Sequence, residues 1–498
     1  MSGVGPERNR GISLAEPLLF ERGSAGRVGI DVPPLDRVER EVEPVPAELC
    51  RDDLESLPEL SEPEVLRHFL RLSQWNFSAA TNFYPLGSCT MKYNPVLDEQ
   101  VARLPGFARL HPAVPDAFAQ GALGLMAELE RMLAEVSGMD AISLQPAAGA
   151  QGELTGMKMI RAYHAERGDP RRTVLIPESA HGTNPASSAL CGYQVVPVPS
   201  GREGMIDPAA VAKLADERVA AIMITNPNTL GLFEKDIVRI TEIVHAKGAQ
   251  VYLDGANLNA LLGVAKPGHM GADVLQFNLH KTFSTPHGGG GPGAGPVGVR
   301  QHLADYLPTP RVVRTEHAWT RSDAAPKSIG RVHGFFGNFG MLVRAYAYIL
   351  ALGGDGLERA TALAILNANY LRHHLEDAFE LPYREPCLHE CVFSDRRLEP
   401  FGVRTLDVAK RLLDYGFYAP TIYFPLVVSG AMMIEPTESE SRETLDEFIA
   451  AMHTIVAEAR EDAERLKAAP HLTRVSRLDE VRAARHPVLR WRPRSESA

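Results

Sequence analysis

One lysine stands in a setting that favours amine chemistry. Lys281 follows the apolar run 273–277 and precedes a glycine run at 288–291. Partial removal from water disfavours the ammonium form, so the neutral amine can attack a carbonyl carbon and form an imine. A solitary lysine at a strand end is more often a surface residue, and a glycine run alone is more often a flexible loop. The combination of the two favours an imine-forming lysine.

A carboxylate ends another apolar run. Asp254 follows residues 250–253 and precedes the small residues Gly255 and Ala256. An aspartate at the carboxyl end of a strand can keep a pyridine nitrogen protonated, which makes a cofactor ring an effective electron sink. The small residues would let a flat ring lie close to the backbone. The alternative is an ordinary turn or capping aspartate.

A third segment has the composition of an anion site. Residues 145–153 pass from an apolar run into a helical pattern through Ala148, Gly149, Ala150 and Gln151. Exposed backbone N–H groups and the dipole of a helix N-terminus favour a phosphate there. A tight turn of small residues is the alternative. The glycine run at 288–291 is neither a Walker loop nor a dinucleotide fingerprint.

Two more polar residues follow strand-like runs. His181, in the segment 178–185, could stack on a cofactor ring or move a proton, although a lone histidine is more often structural. Asn226, in the segment 225–231, could donate a hydrogen bond to a ring hydroxyl, and a plain turn explains it equally well. Both residues therefore join the candidate site with their alternatives open.

A metal site is a weaker hypothesis. Cys387, His389 and Cys391 alternate, as residues on one face of a strand do. Because no fourth ligand is near in sequence, an ordinary strand is the favoured interpretation and no metal is expected.

The elements that must position these residues alternate along the chain. A helix is predicted over 117–136, ending at Gly138, and another within 234–247. Strands that alternate with helices predict a mainly parallel sheet covered on both faces, with ligands at the carboxyl ends of its strands. The predicted strands are 141–144, 173–176, 194–198, 219–224, 250–253 and 273–277.

The length of 498 residues exceeds what one hydrophobic core usually fills. The predicted division is an N-terminal arm with a loop segment at 1–115, a large domain at 116–336, a smaller α/β domain at 337–470 and a solvated tail at 471–498. The smaller domain is expected to contain a long helix reaching residue 375, strands near 388–393 and 422–428, and a helix over 442–467.

Composition excludes several kinds of partner. The 52 Lys and Arg against 62 Asp and Glu give a net charge of −10, which argues against nucleic acid. No apolar stretch reaches the roughly 18 residues of a spanning helix, and no export signal follows Met1, so neither a membrane nor secretion is expected. The five cysteines are scattered and odd in number, as in a cytoplasmic protein with reduced thiols.

Taken together, these segments resemble one family: the pyridoxal-phosphate-bearing subunit of glycine decarboxylase, the P-protein of the glycine cleavage system. The resemblance runs from about residue 57 to residue 469 and includes YPLGSCTMKYNP at 84–95. The other matching segments, in the same order as in the family, are 57–64, 147–153, 179–185, 254–258, 278–291 and 434–440.

The resemblance implies an aminotransferase-like fold of type I that binds pyridoxal 5'-phosphate. Lys281 would be the Schiff-base lysine, with Asp254 at the pyridine nitrogen, Ala256 beneath the ring and His181 on its opposite face. The segment 84–95 would be an active-site loop. Further cofactor contacts would come from Ala148, Gly149, Ala150, Gln151, Asn226, Asn278 and His280.

The implied reaction is glycine decarboxylation with transfer of the aminomethyl group to the lipoyl arm of H-protein, a glycine dehydrogenase (aminomethyl-transferring) activity. Longer family members contain two similar halves, and this chain resembles the half that bears the lysine. A partner subunit 1 and a heterotetramer of two of each are therefore expected. The alternatives are another enzyme of the same fold, either an aminotransferase or an amino-acid decarboxylase, and a silent scaffold subunit.

Overall fold

The computed structural model describes residues 16–31, 45–50, 57–288 and 293–491, so most of the predicted glycine run lies outside the described residues. The chain divides into two compact units. Residues 78–473 form one unit, and 1–77 together with 474–498 form the other. The predicted large and smaller domains thus fall within one unit, and the four-part division stays a prediction.

The larger unit contains a seven-stranded sheet. Its strands are β1 (Ala141–Ser143), β2 (Thr173–Pro177), β3 (Gln194–Val198), β4 (Val219–Thr225), β5 (Gln250–Gly255), β6 (Val274–Phe277) and β7 (Val297–Val299). The strand order is β1-β7-β6-β5-β4-β2-β3. The five strands from β6 to β3 pair in parallel, whereas β7 is antiparallel to both of its neighbours. The predicted mainly parallel sheet is confirmed.

The central strands are buried along their whole length. Every residue of β4 and β5 is buried, and apolar side chains dominate β4 and fill the centre of β5, Val251–Leu253. Such continuous apolar runs are typical of parallel strands covered on both faces. They place Thr225 and Asp254 together where the two strands end, because these residues are register partners.

Helices cover the sheet and build the rest of both units. They are α1 (Glu62–Ser73), α2 (Val96–Ala102), α3 (Pro105–Ala108), α4 (Gln120–Ser137), α5 (Gly149–Glu166), α6 (Thr183–Leu190), α7 (Pro208–Leu214), α8 (Ile237–His245), α9 (Leu279–Thr282), α10 (Phe339–Leu375), α11 (Thr405–Asp414), α12 (Arg442–Glu461), α13 (Ala463–Lys467) and α14 (Glu480–Arg485). As predicted, Gly138 ends α4, in the left-handed conformation that glycine adopts most easily. The predicted long helix is α10, which Gly353 interrupts with a φ of +62°.

Two smaller sheets follow along the chain. A hairpin consists of β8 (Arg311–Arg314) and β9 (Trp319–Ser322), and an antiparallel sheet has β12 (Ala431–Ile434) between β10 (Cys391–Ser394) and β11 (Thr421–Ile422). The predicted strand at 422–428 was wrong beyond Ile422, since Pro425 has no N–H to donate to a ladder. The predicted strand at 388–393 begins only at Cys391.

The smaller unit joins described parts of both chain ends. Ser61 and Glu64 form a capping box at the start of α1. The Phe20 and Trp491 rings stack with centroids 5.0 Å apart. The tail was predicted to be solvated, but Trp491 packs on a ring of the arm. Within the described ranges, no helix has both the length and the apolarity that crossing a bilayer requires.

Candidate active site

A cavity of about 180 Å³ lies at the carboxyl ends of β4, β5 and β6, beside the start of α5. Parallel strands of an open α/β sheet commonly bind ligands at this edge. The structure brings eight of the sequence-predicted residues together around it: Gly149, Ala150, His181, Asp254, Ala256, Asn278, His280 and Lys281.

The other three predicted residues are not among those that line the cavity. Ala148 is the residue before α5. Gln151 donates from Nε2 to the Val332 carbonyl at 2.6 Å. Asn226 accepts the backbone N–H of Glu234 through Oδ1 at 3.0 Å. The side chains of Gln151 and Asn226 thus support the surrounding backbone, and their predicted cofactor contacts stay predictions.

Asp254 is held in place by donors on both of its oxygens. It is 2 % exposed. Its Oδ1 accepts the Ala256 N–H at 2.9 Å and also a hydrogen bond from Gln276 Nε2. Its Oδ2 accepts from Asn184 Nδ2 at 3.1 Å. These donors fix the direction in which the carboxylate faces the cavity.

A second buried carboxyl, Glu153, lies close to Asp254. It accepts hydrogen bonds from Thr183 Oγ1 at 2.6 Å and from Asn184 Nδ2 at 2.8 Å. Burial, and then the negative charge of Asp254, raise the pKa of Glu153 to about 7. Glu153 can therefore hold a proton near neutral pH while it orients the polar residues between itself and Asp254.

Replacing Glu153 by glutamine should change how stability depends on pH. The pKa is raised in the folded state, so wild-type stability falls as the pH rises from about 4.5 to about 7. Glutamine removes that loss, which amounts to roughly 3 kcal/mol at most. Chemical denaturation of wild type and variant across this pH range measures the difference in their free energies of unfolding.

Glu234→Gln is the matched control for Glu153→Gln. Burial also raises the pKa of Glu234 to about 7, yet this residue does not line the cavity. Both variants should flatten the pH dependence of stability. Only Glu153→Gln should alter the pH dependence of a chromophore bound at Lys281, and equal effects of the two on that chromophore would contradict the assignment.

His181 lies at the open side of the cavity. Its Nδ1 is 2.8 Å from Thr183 Oγ1, and its ring meets Phe424 edge-on with centroids 5.9 Å apart. Desolvation lowers the pKa of His181, and the Lys281 charge adds to this while Asp254 opposes it. The lowered pKa favours the neutral ring at neutral pH, and a neutral ring can stack on an aromatic ligand.

The histidine before the lysine is also neutral. Burial, then the neighbouring His287, lower the pKa of His280 to about 3. Its Nδ1 accepts the Ala294 N–H at 3.3 Å, which ties the lysine segment to the chain entering β7. His280 thus anchors the backbone that presents Lys281.

The start of α5 is packed too tightly for larger residues. A Cβ on Gly149 would lie 2.7 Å from Asn278 Oδ1, and a Cβ on Gly295 would lie 2.0 Å from the Ala148 carbonyl oxygen. No side chain caps this helix, so its first N–H groups are free to bind an anion in the cavity.

Gly149→Ala should weaken binding of a phosphate-bearing ligand. Overpacking of about 1–3 kcal/mol corresponds to an affinity about five- to a hundredfold lower. Equilibrium titration of the ligand measures this change. Gly182→Ala is the control, since a Cβ there meets nothing within 4 Å. Equal affinities of the two variants would contradict the assigned phosphate position.

Sequence reasoning missed several residues that line the cavity. The sequence carried a usable signal for some of them. Gln276 precedes Asn278 by two, so the two share one face of the extended segment, and Thr225 ends β4 as Asp254 nearly ends β5. The missed residues are Ser88, Glu153, Thr183, Thr225, Thr229, Asn257 and Gln276.

The structure also regroups the residues considered for a metal. Cys387 and Cys391 pack inside a hydrophobic cluster with Phe393 and Leu375. His389 Nε2 instead lies 3.8 Å from Glu390 Oε1 and 3.9 Å from Glu435 Oε1. The alternating cysteine and histidine pattern therefore does not form one ligand set.

Comparison with known proteins identifies the family. The family model of the glycine cleavage system P-protein matches residues 33–320, more than half of the chain. A second model, the C-terminal domain of glycine dehydrogenase, matches residues 360–472. The chain belongs to the glycine cleavage system P-protein family.

Relatives of this P-protein cover nearly the whole chain. A probable glycine dehydrogenase (decarboxylating) subunit 2 from Listeria welshimeri is 54% identical over 477 residues, which is 95% of this chain and 98% of that protein. The protein of the same name from Halalkalibacterium halodurans is 54% identical over 96% of this chain and 98% of its own length. The resemblance predicted from the motifs is confirmed.

Solved structures share the fold of this P-protein. The crystal structure of a glycine decarboxylase (P-protein) in inhibitor-bound form aligns with a TM-score of 0.71 and 21% identity over 82% of this chain and 93% of that chain. A cysteine desulfurase from Thermococcus onnurineus aligns with a TM-score of 0.59 and 17% identity over 76% and 95%. The predicted fold type I architecture is confirmed.

Members of the P-protein family use pyridoxal 5'-phosphate, and the cavity fits that cofactor. Its lining includes three buried polar atoms, Thr225 Oγ1, Asn257 Oδ1 and Asn278 Nδ2, that have no hydrogen-bond partner among the described protein atoms. Buried polar atoms of this kind need a polar ligand or water. Together with an amine, a carboxylate and a free helix start, they match the aldehyde, pyridine nitrogen and phosphate of the cofactor.

Proposed function

We propose that this chain decarboxylates glycine with Lys281, Asp254 and the start of α5 as the groups that hold pyridoxal 5'-phosphate, and that it passes the aminomethyl group to the lipoyl arm of H-protein. The observation that carries the proposal is one cavity lined by the amine, the carboxylate and the helix start in a chain of the P-protein family. A mere scaffold would not need this combination.

Each protein group has a separate task. When bound, the cofactor accepts the electron pair that the departing carboxylate of glycine leaves behind. Asp254 supplies the negative charge that keeps the pyridine nitrogen protonated, and Asn184 and Gln276 keep that carboxylate oriented. Lys281 would hold the cofactor through its side-chain amine and would leave it free for the amino group of glycine.

The remaining residues fix the ring and its phosphate. The N–H groups at the start of α5 bind the phosphate oxygens. Ala256 would allow the ring to lie against the backbone after β5, and His181, whose pKa is lowered by desolvation, would cover the other face. Asn278 Nδ2, which is buried without a partner in the described chain, donates to the cofactor.

We propose that the chain works with a partner subunit in a heterotetramer of two of each. The name subunit 2 of the relatives supports the existence of a partner subunit. This chain covers 98% of the length of those relatives. The five cysteines are free, which supports the expected cytoplasmic location. Co-purification of a tagged chain from its native host should recover the partner in equal amount. Recovery of the tagged chain by itself would contradict this assembly.

Exchange of labelled bicarbonate into the carboxyl group of glycine tests the function directly. The purified chain with its partner and a lipoylated carrier should catalyse the exchange, and the same carrier without lipoyl should not support it. An aminotransferase would instead convert glycine to a keto acid without a carrier. The homologues do not favour that alternative. Absence of exchange in the complete mixture would refute the proposal.

A further inference from the structure

Two buried glutamates oppose each other directly beyond the small antiparallel sheet. Cys391 pairs with Ile434 in the β10–β12 ladder, so Glu390 and Glu435 occupy the next position outward on the two chains. Both side chains are fully buried. Their carboxylate oxygens and a ring nitrogen of His389 lie within 4.8 Å of one another. Like charges at opposed positions destabilise an antiparallel pair.

No positive charge in direct contact compensates this pair among the described residues. Within the described parts of the chain, His389 is the only ion-pair partner within 4.0 Å of either carboxylate. Burial, and then the Lys281 charge, lower the pKa of His389 to about 3, so its ring is neutral. Glu390 Oε1 has no hydrogen-bond partner in the described chain. Two ionised carboxylates would therefore be buried without compensation, which is very costly.

The same carboxylates hold a strained turn. Glu390 Oε2 accepts the Ser88 N–H at 2.8 Å. Glu435 accepts the Thr90 N–H at 2.9 Å and the Thr90 hydroxyl at 2.6 Å. Ser88 and Thr90 have φ angles of +64° and +46°, in the left-handed region that side chains other than glycine disfavour. Because Ser88 lines the cavity, the two glutamates fix part of the cavity wall.

We propose that Glu390 and Glu435 are a positioning pair that shares one proton and holds the turn 88–90 against the Lys281 cavity. The inference rests on the proposed function only where it treats this cavity as the active site. Sharing one proton leaves a single negative charge, which both carboxyls use to accept the N–H groups of the turn. The titratable and charged groups that face the pair are Lys281, Cys89, Cys387, His389 and Glu438.

The electrostatics agree with this geometry. Burial, and then the neighbouring Glu435, raise the pKa of Glu390 well above its ordinary value. Burial raises the pKa of Glu435 to about 7, although the hydrogen bonds from Thr90 and the Lys281 charge oppose the shift. The pair therefore carries a proton at neutral pH and titrates as a unit.

Difference infrared spectroscopy of the holoenzyme tests the shared proton. Just below the Glu435 pKa of about 7, wild type should show the C=O stretch of a buried protonated carboxyl. Replacing either glutamate by glutamine removes the repulsion between the two carboxyls but not their burial, so the C=O absorption of the remaining carboxyl should be lost at a lower pH than in wild type, in both Glu390→Gln and Glu435→Gln. Glu440→Gln is the matched control. Burial alone raises the pKa of Glu440 to about 7, so this variant should lose only its own signal.

Two results would overturn the shared proton. One is a carboxyl absorption of Glu390 whose pH dependence in Glu435→Gln is the same as in wild type, which would show independent titration. The other is one equivalent of a divalent metal in the purified wild type that is lost in His389→Ala, since a cation would then compensate the charges. Neither readout requires glycine turnover, so failure here is distinguishable from failure of the proposed function.

Labelling of Cys89 tests the hold on the turn. Cys89 lies between Ser88 and Thr90 and is partly exposed, while the fully exposed Cys50 serves as an internal reference. Glu435→Ala should raise the rate of Cys89 alkylation several-fold above the rate in Glu435→Gln, because both variants remove the charge that, after burial, raises the pKa of Cys89 but only glutamine keeps an acceptor for the Thr90 N–H. Thr90→Val removes only the hydroxyl bond and should give a smaller increase if Glu435→Ala does not fold. Unchanged alkylation in both Glu435→Ala and Thr90→Val would overturn the positioning role.

Discussion

Replacing Lys281 by alanine should give a protein that no longer forms the covalently held cofactor and that loses glycine decarboxylation. We expect a drop on the order of 10³-fold, within the range for removing a group that moves protons at the reaction centre. Lys281 supplies the one lysine amine among the residues that line the described cavity, so no neighbour can replace it. Absorption spectra before and after borohydride reduction, with mass analysis of the peptide containing residue 281, measure the first effect.

Lys266→Ala is the control for this experiment. Lys266 pairs with Glu135 at 2.6 Å on the surface and does not line the cavity, so both spectrum and turnover should match wild type. A Lys281→Ala protein that keeps the wild-type absorption, or a borohydride adduct on another lysine, would refute the assignment.

Asp254→Asn should have the second largest effect. Asparagine has nearly the same size but no charge, and its amide would also meet donors from Ala256, Gln276 and Asn184. Loss of a charged hydrogen bond of about 1.5–3 kcal/mol corresponds to a decrease in kcat of about ten- to a hundredfold. KM for glycine should change much less, because the proposed role of this carboxylate is at the ring nitrogen and not at the substrate. Steady-state kinetics separates the two parameters.

A surface carboxylate provides the comparison for Asp254. Asp216 pairs with Arg218 at 2.6 Å, and Asp216→Asn should leave kcat unchanged. Melting curves of both variants should be recorded, since Asp254 is buried. A folded Asp254→Asn enzyme with wild-type kcat would show that the ring nitrogen lies elsewhere.

The regular part of the fold was predictable because its signals are local. Short apolar runs bounded by polar or small residues, such as Val219–Thr225 and the centre of Gln250–Gly255, are typical of strands buried on both faces. Strand β7 has only three residues within a stretch rich in glycine and proline, so the sequence showed no strand there. The run 422–428 was misassigned because hydrophobicity alone does not reveal a proline that prevents strand pairing.

The site was predictable where chemistry follows a strand directly. Lys281, Asp254 and His181 each lie just after a predicted strand, and parallel strands bring such residues to one edge. Glu390 and Glu435 were not predictable as a pair, since they are 45 positions apart and meet only through the antiparallel register of β10 with β12. No spacing rule in a single sequence reveals such a pairing.

The position of β7 fixes the distance between the strand that leads to α5 and the strand that leads to Lys281. It lies between β1, which leads to the start of α5, and β6, which leads to Lys281, and Gly298 is the register partner of both Ile142 and Leu275. Two strand spacings, about 10 Å in all, thus separate the two segments regardless of loop length. The loops around this pocket can therefore differ in length among homologous chains without moving the two ends of the cofactor relative to each other. A bulky residue at Gly298, whose Cβ would lie 2.7 Å from Ile142 Cδ1, would disturb that distance from the far side of the sheet.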